Sequence, residues 1–456
     1  FGALHDADIS VTLISQGSSE HSICFAIPGD QAALAERVVR RAFAVELRDG
    51  QIQSVELTGG CAIIAIVGDG MAGTHGISGK LFAALGKVGV NIRAIAQGAS
   101  ERNISVVVDR RDTTKALRAV HAGFYLSPHT LSIGLIGPGA VGSVLIEQLE
   151  SQAARFRLDF NLDLRVRGIA SSRRMLLADR AIDLKRWRKE LDQHGEPLDL
   201  DRFAAHVAAD HLPHRVMIDC TADVGVAGRY ATWFAAGLHV VTPNKKANSA
   251  GLAEFRRMQQ ARREAGTHYL YEATVGAGLP IMMTVRDLRE TGDGIHTIEG
   301  IFSGTLAYLF NVYDGSVPFS TIVTDARAQG FTEPDPRDDL SGMDFARKLV
   351  ILGREMGLPL ELADVEVENL VPEDLRECSV AEFLKRLPAH DARMLELYGA
   401  ARSEGSVLRY VGRLTAAGNA TISLERLAAR HAFANLALTD NVVRFETDRY
   451  CENPLI

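Results

Sequence analysis

Leu131-Ser132-Ile133-Gly134-Leu135-Ile136-Gly137-Pro138-Gly139-Ala140-Val141-Gly142-Ser143 is the stretch on which the fold turns. Its apolar start reads as a buried strand, and residues 144–149 beyond it read as a helix. Between them stands G-x-G-x-x-G. Gly137 permits a tight turn, Gly139 lets backbone approach a pyrophosphate, and Gly142 lets helix and strand pack closely. The N–H groups and dipole at the start of the helix then attract the anion. The stretch predicts a Rossmann domain, with Gly137, Gly139, Ala140, Val141 and Gly142 along a dinucleotide.

Residues 164–170 read as the next strand, ending in Ser171-Ser172-Arg173-Arg174. A site that prefers NAD wants an acidic residue at this strand end, for the ribose hydroxyl. Ser172, Arg173 and Arg174 suit a 2′-phosphate instead, so NADP is expected and NAD is the second choice. The bland alternative is a solvated basic loop. Val216-Met217-Ile218-Asp219-Cys220-Thr221-Ala222-Asp223 and Gly237-Leu238-His239-Val240-Val241-Thr242-Pro243-Asn244-Lys245-Lys246 read as further parallel strands with polar carboxyl ends. The cofactor crevice of such sheets lies at those ends, which places Thr221 there. Taken alone, Lys245 and Lys246 read as a surface pair. Tyr271-Glu272-Ala273-Thr274-Val275-Gly276-Ala277-Gly278-Leu279-Pro280 is either a hinge between domains or a loop whose carbonyls and one carboxylate suit a hard cation.

A second chemical stretch is Thr332-Glu333-Pro334-Asp335-Pro336-Arg337-Asp338-Asp339-Leu340-Ser341-Gly342-Met343-Asp344-Phe345-Ala346-Arg347-Lys348. The two prolines predict a turn. Ser341 then reads as the N-cap of a helix, with Asp344 three residues on as in a capping box. Asp344 and Lys348 share a face at i, i+4. A carboxylate beside an ammonium could hold the two ends of an amino acid or move its proton. The alternative is a solvated helix start, but the apolar run at 349–352 predicts burial, where charges are more often functional. Gly300-Ile301-Phe302-Ser303-Gly304-Thr305 reads as a strand ending in a small polar turn fit to line a pocket.

Residues 1–126 contain a repeat. Gln16, Gly17, Ser19, Glu20 and Ile23 match Gln97, Gly98, Ser100, Glu101 and Ile104 at a constant offset. Strands are expected at 22–27 and 104–108, and helices at 31–43 and 113–122. The alternative to a shared ligand geometry is a duplicated fold with a structural glutamine. Gly73 to Leu81 superficially resembles a phosphate loop, but its spacing is wrong and Leu81 stands where Ser or Thr should hold magnesium, so a helix start is expected. Pro128 marks the boundary that follows.

The 456 residues, 46% of them hydrophobic, suffice for about three domains. A net charge of -7 argues against a nucleic-acid surface. No run is long and apolar enough to predict a membrane span. Cys24, Cys61, Cys220, Cys378 and Cys451 are scattered, without CxxC, which fits a reducing cytoplasm. His206, His211 and His214 lack a Cys or carboxylate at ligand spacing, so no metal is expected there. The opening at Phe1 without Met reads as that of a fragment.

The run from Glu333 to Asp344 with Ala346-Arg347-Lys348 resembles the signature of homoserine dehydrogenases, in particular those joined to an aspartokinase. The two strands ending in Asp223 and Lys246 resemble the same family, and the repeat resembles paired ACT domains. The resemblance implies an α/β chain in three parts. These are ferredoxin-like ACT units at 1–126, a Rossmann NADP-binding domain at 131–275 plus 436–456, and an α+β substrate and dimerisation domain at 276–435. It implies reversible hydride transfer between NADP(H) and the pair aspartate semialdehyde and homoserine. Carried over, Glu333 and Asp344 hold the substrate ammonium, Gly304 and Thr305 line its pocket, Lys348 gives or takes the proton, and Lys245 faces the nicotinamide and substrate and steadies charge on the oxygen. Glu272, Val275, Ala277 and Leu279 would hold Na⁺ or K⁺, Gln16 and Gln97 an effector amino acid, threonine. A homo-oligomer is implied too, as is a glycine-rich stretch and closing helix beyond Ile456. Oxidation raises a tension: Lys348 must be neutral, Asp344 favours its charged form, and only desolvation opposes that. Two other readings stay open: a regulatory amino-acid-binding module with an inactive dehydrogenase part, and another NADP-dependent amino-acid dehydrogenase.

Overall fold

The structure is a computed structural model describing residues 1–17, 22–125, 129–209, 211–212 and 214–456. Ser19 and Glu20 of the first repeat copy, and the boundary residue Pro128, lie outside the described residues. The chain forms two compact units: Phe1–Ser132 with Ser151–Arg165 and Ala208–Arg215, and Ile133–Glu150 with Val166–Val207 and Val216–Ile456.

In the first unit an antiparallel sheet runs in the order Cys61–Val67, Asn103–Asp109, Ile92–Gln97. Its alternating β-branched residues give it one apolar face. Ile64, Ile104, Val106 and Val108 on that face pack against Leu81, Leu85, Ala116 and Val120 of helices Ile77–Lys87 and Thr113–Tyr125. The first copy supplies a hairpin, Leu13–Gln16 with Ile23–Ala26, and helix Ala32–Ala42. Gln16 and Gln97 each end a strand, as the repeat predicts. Ser15 Oγ donates to the Ile95 carbonyl at 2.8 Å, which lays the two strands side by side.

The second unit is built on two sheets. One has seven strands, in the order Tyr269–Leu270, His239–Val241, His214–Asp219, Thr130–Ile136, Asp163–Ala170, Arg174–Leu177, Glu196–Pro197. The first three run parallel and the last three antiparallel. The other sheet has five, in the order Val365–Val367, Ala420–Ala428, Ser406–Thr415, Ile295–Ile301, Val442–Thr447. Residues 436–456 were expected in the nucleotide domain. Instead Val442–Thr447 pairs antiparallel with Ile295–Ile301, because its alternating inward residues, Val443, Phe445 and Thr447, complete the second sheet.

Helix Met343–Met356 lies across that second sheet. A Cβ on Gly412 would meet the Phe345 ring at 2.7 Å, so the absence of one lets the helix settle. Phe345 also packs edge-on against Phe302. The helix does not begin as predicted. Asp335 caps a separate short helix, Pro336–Leu340, accepting from Arg337 N at 3.0 Å with Pro336 in its first turn. Ser341 is not the N-cap of the long helix. Gly342 is, in the left-handed region at φ 73°, with no side-chain cap. A side chain there would meet Tyr410 Oη at 2.4 Å and Val367 Cγ1 at 2.7 Å. Gly342→Ala should therefore cost about 2–4 kcal/mol, through left-handed backbone and overpacking together. A urea midpoint unchanged from the parent would show that neither constraint is real.

Candidate active site

The carboxyl ends of the parallel strands are tied together by one carboxylate. Asp219 is fully buried. It accepts from Tyr230 Oη at 2.5 Å, Thr221 N at 2.8 Å and Asn244 Nδ2 at 3.0 Å. Asn244 also donates to the Asp223 carbonyl at 3.0 Å. Asp219, Thr221 and Asp223 stand at the end of His214–Asp219, Asn244 follows His239–Val241 and Tyr230 lies on the helix between, so the backbone entering Lys245 is fixed to the sheet.

The glycines of the first turn behave as their spacing predicts. Gly137 has φ 84°, and a side chain there would meet Thr221 Cγ2 at 2.6 Å. One on Gly142 would meet the Gly137 carbonyl oxygen at 2.2 Å. Gly139 faces open space, with nothing within 4 Å, in front of a helix that starts at Ala140 and Val141. Open backbone before a helix N-terminus fits a pyrophosphate. The two arginines beyond Ser172 part company. Arg174 donates to the carbonyls of Asp192 at 2.7 Å and Gly195 at 2.5 Å, so it braces the end of helix Trp187–His194. Arg173 is exposed, and among the described residues its guanidinium has no partner.

Lys245, Asp344 and Lys348 come together. Asp344 receives Lys245 Nζ at 3.1 Å on one oxygen and Lys348 Nζ at 2.8 Å on the other. Lys348 also donates to the Phe302 carbonyl at 2.6 Å. Its side chain is 12% exposed and that of Asp344 49%. Burial alone would raise the Asp344 carboxyl, but the two ammonium groups outweigh it and bring it down to about 2. Burial pushes the Lys348 ammonium below its ordinary value, with Asp344 opposing. Desolvation thus outweighs the pull of Asp344 on this ammonium.

Beside this cluster, Glu333 is exposed and its carboxylate has no partner among the described residues. Its backbone N–H donates to Asp339 at 2.8 Å. Asp339 escaped the sequence reading because nothing local separates it from Asp335 and Asp338. Burial pushes its carboxyl up, and nearby Glu333 and Asp344 add to that. Gly304 opens helix Gly304–Val312, capped by Ser303, and Thr305 Oγ1 donates to the Phe331 carbonyl at 2.8 Å.

Glu272 has a structural task. Its carboxylate accepts from Met282 N at 2.8 Å and Met283 N at 3.0 Å and so caps helix Ile281–Glu290. The Leu279 carbonyl accepts from Ile281 N at 2.8 Å. Gly276 and Ala277 are both left-handed, at φ 72° and 52°, and for alanine that is uncommon.

In the first unit a cavity of about 350 Å³ opens beside Gln97. Residues 73–79 form one wall, Gln97 and Glu101 another. Ser78 Oγ donates to Gln97 Oε1 at 3.4 Å, and Gly73 N to Glu101 at 2.8 Å. The segment dismissed as a phosphate loop does start a helix, at Ile77, but it also walls this cavity. Gln16 is exposed at the end of its strand.

The contrast between the two arginines is testable by binding alone. Arg173→Glu should weaken NADPH about 10- to 100-fold and NADH about threefold or less, the worth of a charge-assisted hydrogen bond. Arg174→Ala should instead lower the melting temperature. Equal effects of Arg173→Glu on both cofactors, read by fluorescence titration, would assign the phosphate to another group.

Three family models match the chain: "ACT domain" at 1–43 and 64–124, "Homoserine dehydrogenase, NAD binding domain" at 137–272, and "Homoserine dehydrogenase" at 280–456. A chloroplastic bifunctional aspartokinase/homoserine dehydrogenase 2 from Arabidopsis thaliana is 50% identical over 459 residues, covering all of this chain and 50% of that protein. The bifunctional aspartokinase/homoserine dehydrogenase of Haemophilus influenzae is 39% identical, covering all of this chain and 56% of that protein. The chain thus spans about half the length of the curated relatives it matches. A hyperthermophilic archaeal homoserine dehydrogenase in complex with NADPH shares the fold, with a TM-score of 0.54 and 18% identity over 72% of this chain and 90% of that one. With both dehydrogenase models matched in tandem behind an ACT domain, the chain belongs to the homoserine dehydrogenase family.

Proposed function

We propose that this chain catalyses the reversible NADPH-dependent reduction of L-aspartate 4-semialdehyde to L-homoserine, and that threonine regulates it through the ACT domain. The observation that carries the reading is Asp344 shared between Lys245, at the end of the nucleotide sheet, and buried Lys348. When bound, the nicotinamide supplies the hydride. Glu333 and Asp344 hold the substrate ammonium, and Gly304 and Thr305 line its pocket. Lys348 gives its proton to the carbonyl oxygen in reduction and recovers it in oxidation. Lys245 offers a positive charge to the same oxygen.

NADP is preferred over NAD because Arg173 stands unpaired where an acid would select NAD. A monovalent cation at Glu272, Val275, Ala277 and Leu279 remains part of the reading; it rests on the left-handed Gly276–Ala277 pair, since Glu272 already caps a helix. The active form is a homo-oligomer. Among the described residues no helix is long and apolar enough to cross a membrane. The cytoplasm is our assignment from five free cysteines. The first experiment is NADPH consumption on adding aspartate semialdehyde; no consumption with this substrate removes the reading.

Two outcomes follow from the residues. As pH rises through the lowered Lys348 value, the donor is lost, so reduction falls and oxidation rises. The limb should lie below 10.5, the ordinary lysine value, and Lys348→Ala should abolish it with a loss of about 10²–10⁴-fold in kcat. A limb that survives the substitution belongs to another group.

The cavity by Gln97 offers Glu101 to an ammonium and the amide groups at the start of helix Ile77–Lys87 to a carboxylate. Threonine should inhibit homoserine oxidation, with a coupling of about 1–3 kcal/mol. Gln97→Ala or Gln16→Ala should relieve this with little change in uninhibited kcat. Calorimetry without a threonine signal, together with undiminished inhibition in both variants, would discard the effector site.

A further inference from the structure

Arg354 sits near the end of helix Met343–Met356, about 15 Å along it from Asp344. Its side chain is 1% exposed. Nη1 donates to the carbonyls of Asn248 at 2.8 Å and Ala250 at 2.6 Å, and Nε to that of Leu360 at 3.0 Å. Nη2 meets Glu361 at 3.1 Å, and the Phe255 ring lies 5.0 Å from the guanidinium carbon. Glu361 in turn accepts from Leu252 N at 2.7 Å. Two turns earlier, Arg347 reaches Ser249 Oγ at 3.4 Å, and that hydroxyl donates to the Lys245 carbonyl at 2.9 Å.

The loop after Lys245 is therefore held at both ends. Asn244 binds its start to the nucleotide sheet, and Arg354 binds its end to the helix that carries Asp344 and Lys348. Burying a guanidinium is costly, and a well-packed apolar side chain would fill the same space. What the apolar side chain lacks is a fork of fixed donors that sets where backbone carbonyls stand.

We propose that Arg354 is a positioning residue: it clamps residues 248–250 to the substrate helix so that Lys245 Nζ stands against Asp344, and it acts on the reaction through Lys245. The kinetic part rests on the dehydrogenase reading above. Arg354 touches neither reacting group, so a merely structural brace is the competing account.

The test introduces Arg354→Met into the intact enzyme, alone and with Lys245→Ala, and measures reduction of aspartate semialdehyde by NADPH. Arg354→Met alone should lower kcat about 10- to 100-fold, the usual cost of a misplaced catalytic group, with KM for NADPH shifting about threefold or less. In the Lys245→Ala background the same substitution should cost about twofold or less, because coupled residues are not additive. Equal losses in the two backgrounds overturn the proposal. A second readout needs no turnover: the rate of amine acetylation at Lys245 relative to Lys246, by mass spectrometry. It should rise about fivefold or more in Arg354→Met as Lys245 leaves Asp344. An unchanged ratio overturns the proposal, whereas an inactive parent with a raised ratio overturns only the dehydrogenase reading. Should Arg354→Met fail to fold, Glu361→Gln, whose parent side chain is 44% exposed, takes its place in both measurements. Equal losses in the two backgrounds, or an unchanged acetylation ratio, overturn the proposal there as well.

Discussion

One carboxylate between two ammonium groups organises the candidate active site of this chain. Asp344 meets Lys245 at 3.1 Å and Lys348 at 2.8 Å, and the two lysines come from different layers. Without Asp344 they would repel each other in a partly desolvated cleft. With it, the cluster keeps a net positive charge, which suits a place where negative charge develops on oxygen. The contributions are unequal. Lys348 is the buried partner, so desolvation weakens its hold on its proton, while Asp344 at the mouth restores part of it. A lysine balanced in this way can serve both directions of one reaction.

That balance depends on where the helix Met343–Met356 begins. Gly342 turns through the left-handed region beneath Tyr410, whose hydroxyl donates to the Glu368 carbonyl at 2.7 Å. Phe345 then locks over Gly412. Both contacts fix the first turn, which carries Asp344, and they do so with sheet residues far along the chain. Packing rather than capping sets the helix start, so the geometry of the charge cluster is inherited from an apolar interface.

This also explains which features could be seen in the sequence. The glycine-rich turn at Gly137 is local: spacing alone states which backbone must approach what. The i, i+4 relation of Asp344 and Lys348 is local too, as are the strand ends at Gln16 and Gln97. The errors lie where a distant partner decides. Ser341 has the right type for a cap, but Tyr410 and Val367 leave room only for glycine one residue on. Arg174 has the right charge for a phosphate, but Asp192 and Gly195 claim it. Val442–Thr447 has an ordinary strand pattern, and only the open edge of Ile295–Ile301 says which sheet it joins. Asp339 looks like its acidic neighbours until the fold buries it beside Glu333.

The same helix touches chemistry at its start and scaffold at its end. Beyond Arg354, Glu355 takes the Tyr271 hydroxyl and pairs with Arg286 at 2.6 Å, next to the segment that begins at Glu272. Two adjacent residues thus hold the two stretches of chain that follow the nucleotide strands ending at Val241 and Leu270, Arg354 through backbone carbonyls and Glu355 through the Tyr271 hydroxyl. An α-helix is stiff over this length, so a shift at its far end is carried to Asp344 and Lys348 with little loss. The separation between the nucleotide crevice and the buried ammonium is therefore set by a rigid element with both ends tied, rather than by a flexible loop. In the hydride and proton transfer proposed for this site, that is the distance the fold would have to hold.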